Sequence, residues 1–291
     1  MGKNTLLPLT LAVGAMVAIG VGYWESRPDP IDTDLPASAP AVGSCWPVTE
    51  DTAARSAFPW PEPAVDCAAP HTAEVYHVAQ VPVDLIRQAR DSEGEDRTVA
   101  ISLMYASARR DCSVRASDFL AGDWHSGRVT VLATWVDPPA SGFFACSLAQ
   151  TGDPAGATYV RRAGTLRGAL GAAGAELAIG CVVRSGGGTA FGRCDQPHDG
   201  EFVGAYTLLP ENASFVEAGV REEANRGCGR LAATYLGLPA DRGRSDLRVA
   251  YVGPLTAPEW LGSDQTFSCY AMSDVRLKAS VRGLRTGRLP A

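Results

Sequence analysis

The sequence predicts an α+β fold: two tandem small modules, each an antiparallel sheet with one main helix and stapled by disulfides, after one N-terminal transmembrane helix. Three observations predict it. Apolar residues alternate over short runs in both halves of the chain, as strands with one buried face require. Two long stretches rich in alanine, leucine and arginine carry apolar residues at three- and four-residue steps, the helical period. Eight cysteines fall into two sets that share their order and their neighbours.

Taken in order, residues 1–4 precede an uncharged run between Lys3 and Glu25, within which Leu6 to Trp24 reads LLPLTLAVGAMVAIGVGYW. At about 1.5 Å per residue this run reaches about 31 Å as a helix, the hydrocarbon thickness of a bilayer, so residues 5–24 are expected to span. Lys3 lies before the span, and Glu25, Asp29, Asp32 and Asp34 follow it. The positive-inside rule then keeps 1–4 in the cytoplasm and everything after Trp24 outside, giving a single-pass protein of the cell membrane. A cleaved signal peptide competes with this reading, but its apolar core is shorter, about 7–15 residues. The nearest small-x-small site, Ala39-Pro40-Ala41, also lies far beyond the run. Residues 25–42 hold Pro28, Pro30, Pro36 and Pro40 with no hydrophobic period and are expected to form an extended stalk.

The chain as a whole has a globular composition, 46% apolar and 20% charged, and most of it should fold rather than stay solvated. The formal charge is -6, and the only lysines are Lys3 and Lys278. No polycationic stripe is available to neutralise phosphates, which argues against nucleic acid as a partner.

Laying the second half on the first exposes a repeat. CAAPHTAEV from Cys67 recurs as CDQPHDGEF from Cys194, a Cys-x-x-Pro-His-x-x-Glu element. Cys112 is followed after six residues by Phe119-Leu120-Ala121, and Cys228 after six by Tyr235-Leu236-Gly237. FFACSLA around Cys146 matches TFSCYAM around Cys269, and GTLRG (164–168) matches ASVRG (279–283). The landmarks keep their order, which places module one at 43–170 and module two at 177–286.

Within each module, EVYHVAQV (74–81) and EFVGAYTLL (201–209) read as strands after the Pro-His element. Arg97–Leu120 and Ser214–Leu236 read as helices that carry the third cysteine. RVTVLATWV (128–136) and LRVAYVG (247–253) read as strands, and the fourth cysteine sits in a last strand. Ser185-Gly186-Gly187-Gly188 lies between two cysteines rather than between a strand and a helix, and reads as a hairpin tip, not a phosphate loop. An exported chain with an even cysteine count and no Cys-x-x-Cys points to disulfides rather than zinc. Independent modules would reduce the pairings to three per module. First with second and third with fourth is preferred: Cys45–Cys67, Cys112–Cys146, Cys181–Cys194 and Cys228–Cys269, the second type stapling helix to last strand.

The leading Gly-x-Cys or Gly-Cys, the Cys-x-x-Pro-His-x-x-Glu element, the helix cysteine and a tryptophan-glycine-cysteine ending together resemble the actinobacterial septum formation domain family. The resemblance covers most of the chain, twice. Module two carries the ending more fully, as Pro258, Trp260, Gly262, Asp264 and Cys269; the corresponding PPASGFFAC of module one lacks the tryptophan and the acid. The resemblance implies an anchored envelope protein associated with septation or cell-wall biology, and Trp260 with Asp264 is the candidate binding loop.

His71 with Glu74 and His198 with Glu201 are the ionisable pairs reproduced in both modules. Such a pair can share a metal ion, or the carboxylate can orient the imidazole as a base. A metal needs more ligands than this. His77 and His125 have no counterpart in module two, and the cysteines are expected in bridges. The preferred reading is structural: the histidine bonds backbone or its own glutamate and fixes the turn into the strand. No nucleophile is evident, and no cofactor or metal is expected. Trp46, Trp60, Trp135 and Trp260 could form binding surfaces, but an isolated aromatic in a small module is more often core or a cover over a disulfide; Trp60 is the one most expected to be exposed. The expectation is a non-enzymatic module that binds an envelope or septal protein or a cell-wall polymer. The alternative is a metal-dependent or general-base envelope hydrolase using the His-Glu pairs.

Overall fold

A computed structural model describes residues 35, 39–54, 60, 62–135, 142–171, 176–208 and 214–291. The expected anchor over 5–24, and the stalk as far as residue 34, lie outside the described residues. No helix among the described residues is long and apolar enough to cross a membrane. Residues from Leu35 onward form one compact unit.

That unit contains two antiparallel sheets. The first is built from β1 (Cys45–Trp46), β2 (Ala73–Gln80), β3 (Val129–Trp135) and β4 (Phe143–Gln150), in the order β1-β2-β4-β3. The second comprises β5 (Cys181–Ser185), β6 (Gly188–Gly192), β7 (His198–Thr207), β8 (Leu247–Val252) and β9 (Thr266–Leu277), in the order β6-β5-β7-β9-β8. Without the extra edge strand β6, the second order repeats the first, strand for strand. β5 and β6 form the anticipated hairpin, turned by Gly186 and Gly187, both at positive φ that glycine adopts without steric cost.

One long helix crosses one face of each sheet: α3 (Gly94–Leu120) and α4 (Glu217–Leu236). Each ends at the repeated landmark because the next residue turns left-handed, Ala121 at φ 56° and Gly237 at φ 74°. α3 buries Met104, Ala108, Cys112, Ala116 and Leu120 against Val131 and Leu148, an amphipathic stripe at helical steps. Three short helices were not anticipated: α1 (Glu50–Ala54), α2 (Val83–Asp91) and α5 (Ala257–Leu261). α5 is set by a capping box, in which the Thr256 hydroxyl accepts from the Glu259 N–H and the Glu259 carboxylate accepts from the Thr256 N–H.

All four bridges join the expected partners, with Cα separations of 5.2–5.3 Å that suit unstrained bridging. Cys112–Cys146 and Cys228–Cys269 tie each long helix to the last strand of its sheet.

One expectation about aromatics is corrected. Trp60 is buried, edge-on to Trp46 with centroids 5.5 Å apart, because its indole helps close the small core on the outer face of the first sheet. Trp260 is buried as well, in the core with Cys228, Phe267 and Cys269. The capping box aims it inward.

Candidate functional site

The repeated pairs lie where β2 and β7 begin. Strand pairing sets Glu74 opposite Cys45 and Leu148, and Glu201 opposite Cys181 and Ala271, so both carboxylates hold the same lattice position. Both point beneath the long helix and are buried, as are His71 and His198. A carboxylate in such a place must be fully hydrogen-bonded.

Glu201 is. Its Oε1 accepts from the Val281 N–H at 2.8 Å and lies 3.1 Å from His198 Nε2, while its Oε2 accepts from Tyr235 Oη at 2.6 Å and Ser280 Oγ at 2.7 Å. His198 Nδ1 faces the Gln196 carbonyl at 2.8 Å and must donate to it, since a carbonyl only accepts. The Nε2–Oε1 contact therefore shares one proton. Burial, then the Glu201 hydrogen bond, pushes the Tyr235 hydroxyl above its ordinary value.

In the first sheet Glu74 accepts from Thr165 Oγ1 and the Leu166 N–H, each at 2.6 Å. His71 Nδ1 donates to the Ala69 carbonyl at 2.9 Å, and its Nε2 has no partner among the described residues. Phe119 stands in the landmark place of Tyr235 and brings no hydroxyl. The donors come from GTLRG and ASVRG, the tail landmarks whose role the sequence reading left open. A hydroxyl (Thr165, Ser280) and the next N–H clamp the glutamate, and the following arginine lies over the helix aromatic: Arg167 over Phe119 at 4.5 Å, Arg282 over Tyr235 at 4.7 Å.

Cys45, His71 and Glu74 present candidate ligand atoms within 4.8 Å of one another, as do Cys181, His198 and Glu201. Both sulfurs are spent in disulfides, and Glu201 is already surrounded by donors. This chemistry fits a lock rather than a metal centre. Neither pair lines the two main cavities.

A second charged cluster joins the halves, built on His125, which has no counterpart in the second half. His125, in a short 3₁₀ turn (Trp124–Ser126), sits between two carboxylates: Nδ1 is 2.8 Å from Asp123 Oδ1, and Nε2 is 3.0 Å from Asp264 Oδ1. Ser268 Oγ donates to the His125 carbonyl at 3.0 Å. Burial alone would pull the imidazolium down, but the two carboxylates outweigh it and hold its pKa at about 9; His125 in turn keeps Asp264 below the ordinary carboxylate value. Asp264 of the expected binding loop is thus an internal ion-pair partner. A cavity of about 220 Å³ between the halves is lined in part by Arg109, Trp124, His125 and Asp264.

No curated protein and no solved structure matches the chain. The model of one family, described as septum formation, matches residues 42–269 in a single span through both halves. That span is well over half of the sequence and takes in both His-Glu pairs and all eight cysteines: the chain belongs to the septum formation family.

Proposed function

We propose that the chain is a non-enzymatic binding or scaffolding protein of the envelope, held to the membrane by residues 5–24 and acting in septum formation or cell-wall biology through two copies of one unit, 43–170 and 177–286. The family supports a role in cell division or the envelope. The observation that carries the non-enzymatic reading is the state of Glu201: buried, with four hydrogen-bond partners, and itself lining neither of the two cavities described. A general base must reach its substrate's proton, and this one reaches only its own fold.

A reporter fused to the C-terminus of the full chain tests the placement. Fluorescence at division sites, with the chain in the membrane fraction and open to external protease, is expected; a diffuse, protease-protected signal refutes it. Against the hydrolase, purified oxidised protein should hold no stoichiometric metal. An activity lost in His198→Ala without any change in melting would overturn the non-enzymatic reading.

A further inference from the structure

The two sheets differ at one place beneath the helix. The register pairs Glu74 with Leu148 and Glu201 with Ala271, so Ala271 holds the position that Leu148 fills in the first sheet. Leu148 is fully buried in the core under α3. Ala271 leaves that volume empty, and a groove of about 480 Å³ opens between α4, β8 and residues 240–244. On the helix side, Gly229 stands one residue after Cys228, where Ser113 follows Cys112; a Cβ built on Gly229 meets nothing within 4 Å. The floor is apolar, made by Ala232, Ala233, Leu236, Val249 and Ala271.

The rim is basic, with five arginines and one acid, Asp241, in a chain whose acids outnumber its bases. Three arginines are engaged. Arg226 is held by Glu222 and Glu223, Arg244 by Asp246 and by the carbonyls of Arg285 and Gly287, and Arg248 lies 3.6 Å from Asp274. Arg230 and Arg242 are exposed and have no acidic partner among the described residues; Arg230 only overlies the Tyr206 ring at 5.9 Å. Two rim arginines without an acidic partner, beside an apolar floor, match an oxyanion joined to an apolar group, since a guanidinium pairs with carboxylate or phosphate through two parallel hydrogen bonds. The volume is that of an ordinary small-ligand site.

We infer that this groove binds a small amphiphilic anion, a carboxylate or phosphate carried on a compact apolar group, with Arg230 and Arg242 taking the anion and Ala271 making room for the apolar part. This names a ligand class for the binding role proposed above and rests on that reading.

Titration calorimetry on the oxidised full chain tests it with phenyl phosphate and benzoate, against inorganic phosphate and benzyl alcohol as the separated halves. Saturable binding of phenyl phosphate or benzoate at least tenfold tighter than of either half is expected, the tighter of the two assigning the headgroup. Arg230→Ala with Arg242→Ala should weaken it at least tenfold with unchanged melting, because both side chains are exposed. Ala271→Leu, which restores the first sheet's filling, should abolish it. No saturable binding of either amphiphile, or equal binding by the double arginine variant, overturns the site. Absent binding with intact septal localisation refutes the groove alone, and intact binding with lost localisation refutes the septal role alone.

Discussion

Replacing Glu201 by alanine separates a lock from a reactive group. The substitution removes the acceptor for four groups: His198 Nε2, Tyr235 Oη, Ser280 Oγ and the Val281 N–H. Ser280 is exposed and its hydroxyl can turn to water, but His198 and Val281 are fully buried and cannot. Each buried group left unpaired costs about 1–3 kcal/mol, and the vacated carboxylate leaves a small void, so the loss should be about 3–5 kcal/mol. In a unit of this size that lowers the melting temperature by about 10 °C. Glu201→Gln should cost less, about 1–3 kcal/mol: its carbonyl can still accept from the Val281 N–H and its amide can donate to two hydroxyls able to accept, but the proton shared with His198 Nε2 is lost. Ser280→Ala should cost under about 1 kcal/mol. The assay is thermal and denaturant unfolding of oxidised protein. Unchanged stability in Glu201→Ala, within about 0.5 kcal/mol, would refute the lock, above all if bound metal or an activity disappeared with it.

The junction predicts an alkaline limit. The pKa of His125 is raised in the fold from 6.5 to about 9, so its contribution is complete below pH 6.5 and is lost as the pH climbs through 9. The rise corresponds to about 3 kcal/mol at most, and His125→Ala should flatten that part of a stability-pH curve. Ala121→Gly should stabilise by about 0.5–1 kcal/mol in denaturant titrations, since Ala121 holds at φ 56° the cap that Gly237 supplies in the second half. Trp260→Ala should lose about 3–5 kcal/mol by calorimetry, because the indole is core and not a docking surface. Reduction of the four disulfides should shift unfolding by several kcal/mol, read as a fall in denaturant midpoint between oxidised and reduced protein.

Repetition made much of this fold legible. Alternation located β2, β3, β7 and β8 to within three residues, and helical periodicity located α3 and α4 to within three, because each element buries one face on a core local to its half. The cysteine order gave the bridges, as paired cysteines at matched places leave few geometries. Partners remote in the chain and without a second copy were not legible. Asp264 lies 139 residues beyond His125 and approaches it only when the intervening chain folds. Nor was the short helix that carries Trp260, because a five-residue helix set by the Thr256–Glu259 cap shows no periodicity to read. The clamp on each glutamate had a usable signal, a hydroxyl residue at the same place in GTLRG and ASVRG, which served as a landmark of the repeat rather than as a donor to a buried carboxylate.

An ionisable pair repeated at fixed spacing invites a catalytic reading, and the geometry here gives a different reason for it. In each half the chain enters through a disulfide beside the first strand, buries a glutamate in the strand that follows the Pro-His element, crosses with the helix and returns to set a hydroxyl, an N–H and an arginine on the glutamate and the helix aromatic. The returning tail bonds the glutamate, so a carboxylate there pins the tail where an apolar residue would leave the Val281 N–H buried and unpaired. The shared chemistry of the halves is therefore spent on closure. Besides the hydroxyl that Tyr235 adds where Phe119 stands in the first half, the halves differ in Leu148 against Ala271, Ser113 against Gly229, and a His125–Asp264 bridge that exists once. A filled floor and an empty one beneath otherwise matching helices are hard to explain by closure alone, since the empty floor gives up packing that the first half shows to be attainable. The groove over Ala271, not the buried pairs, is where a ligand can be met.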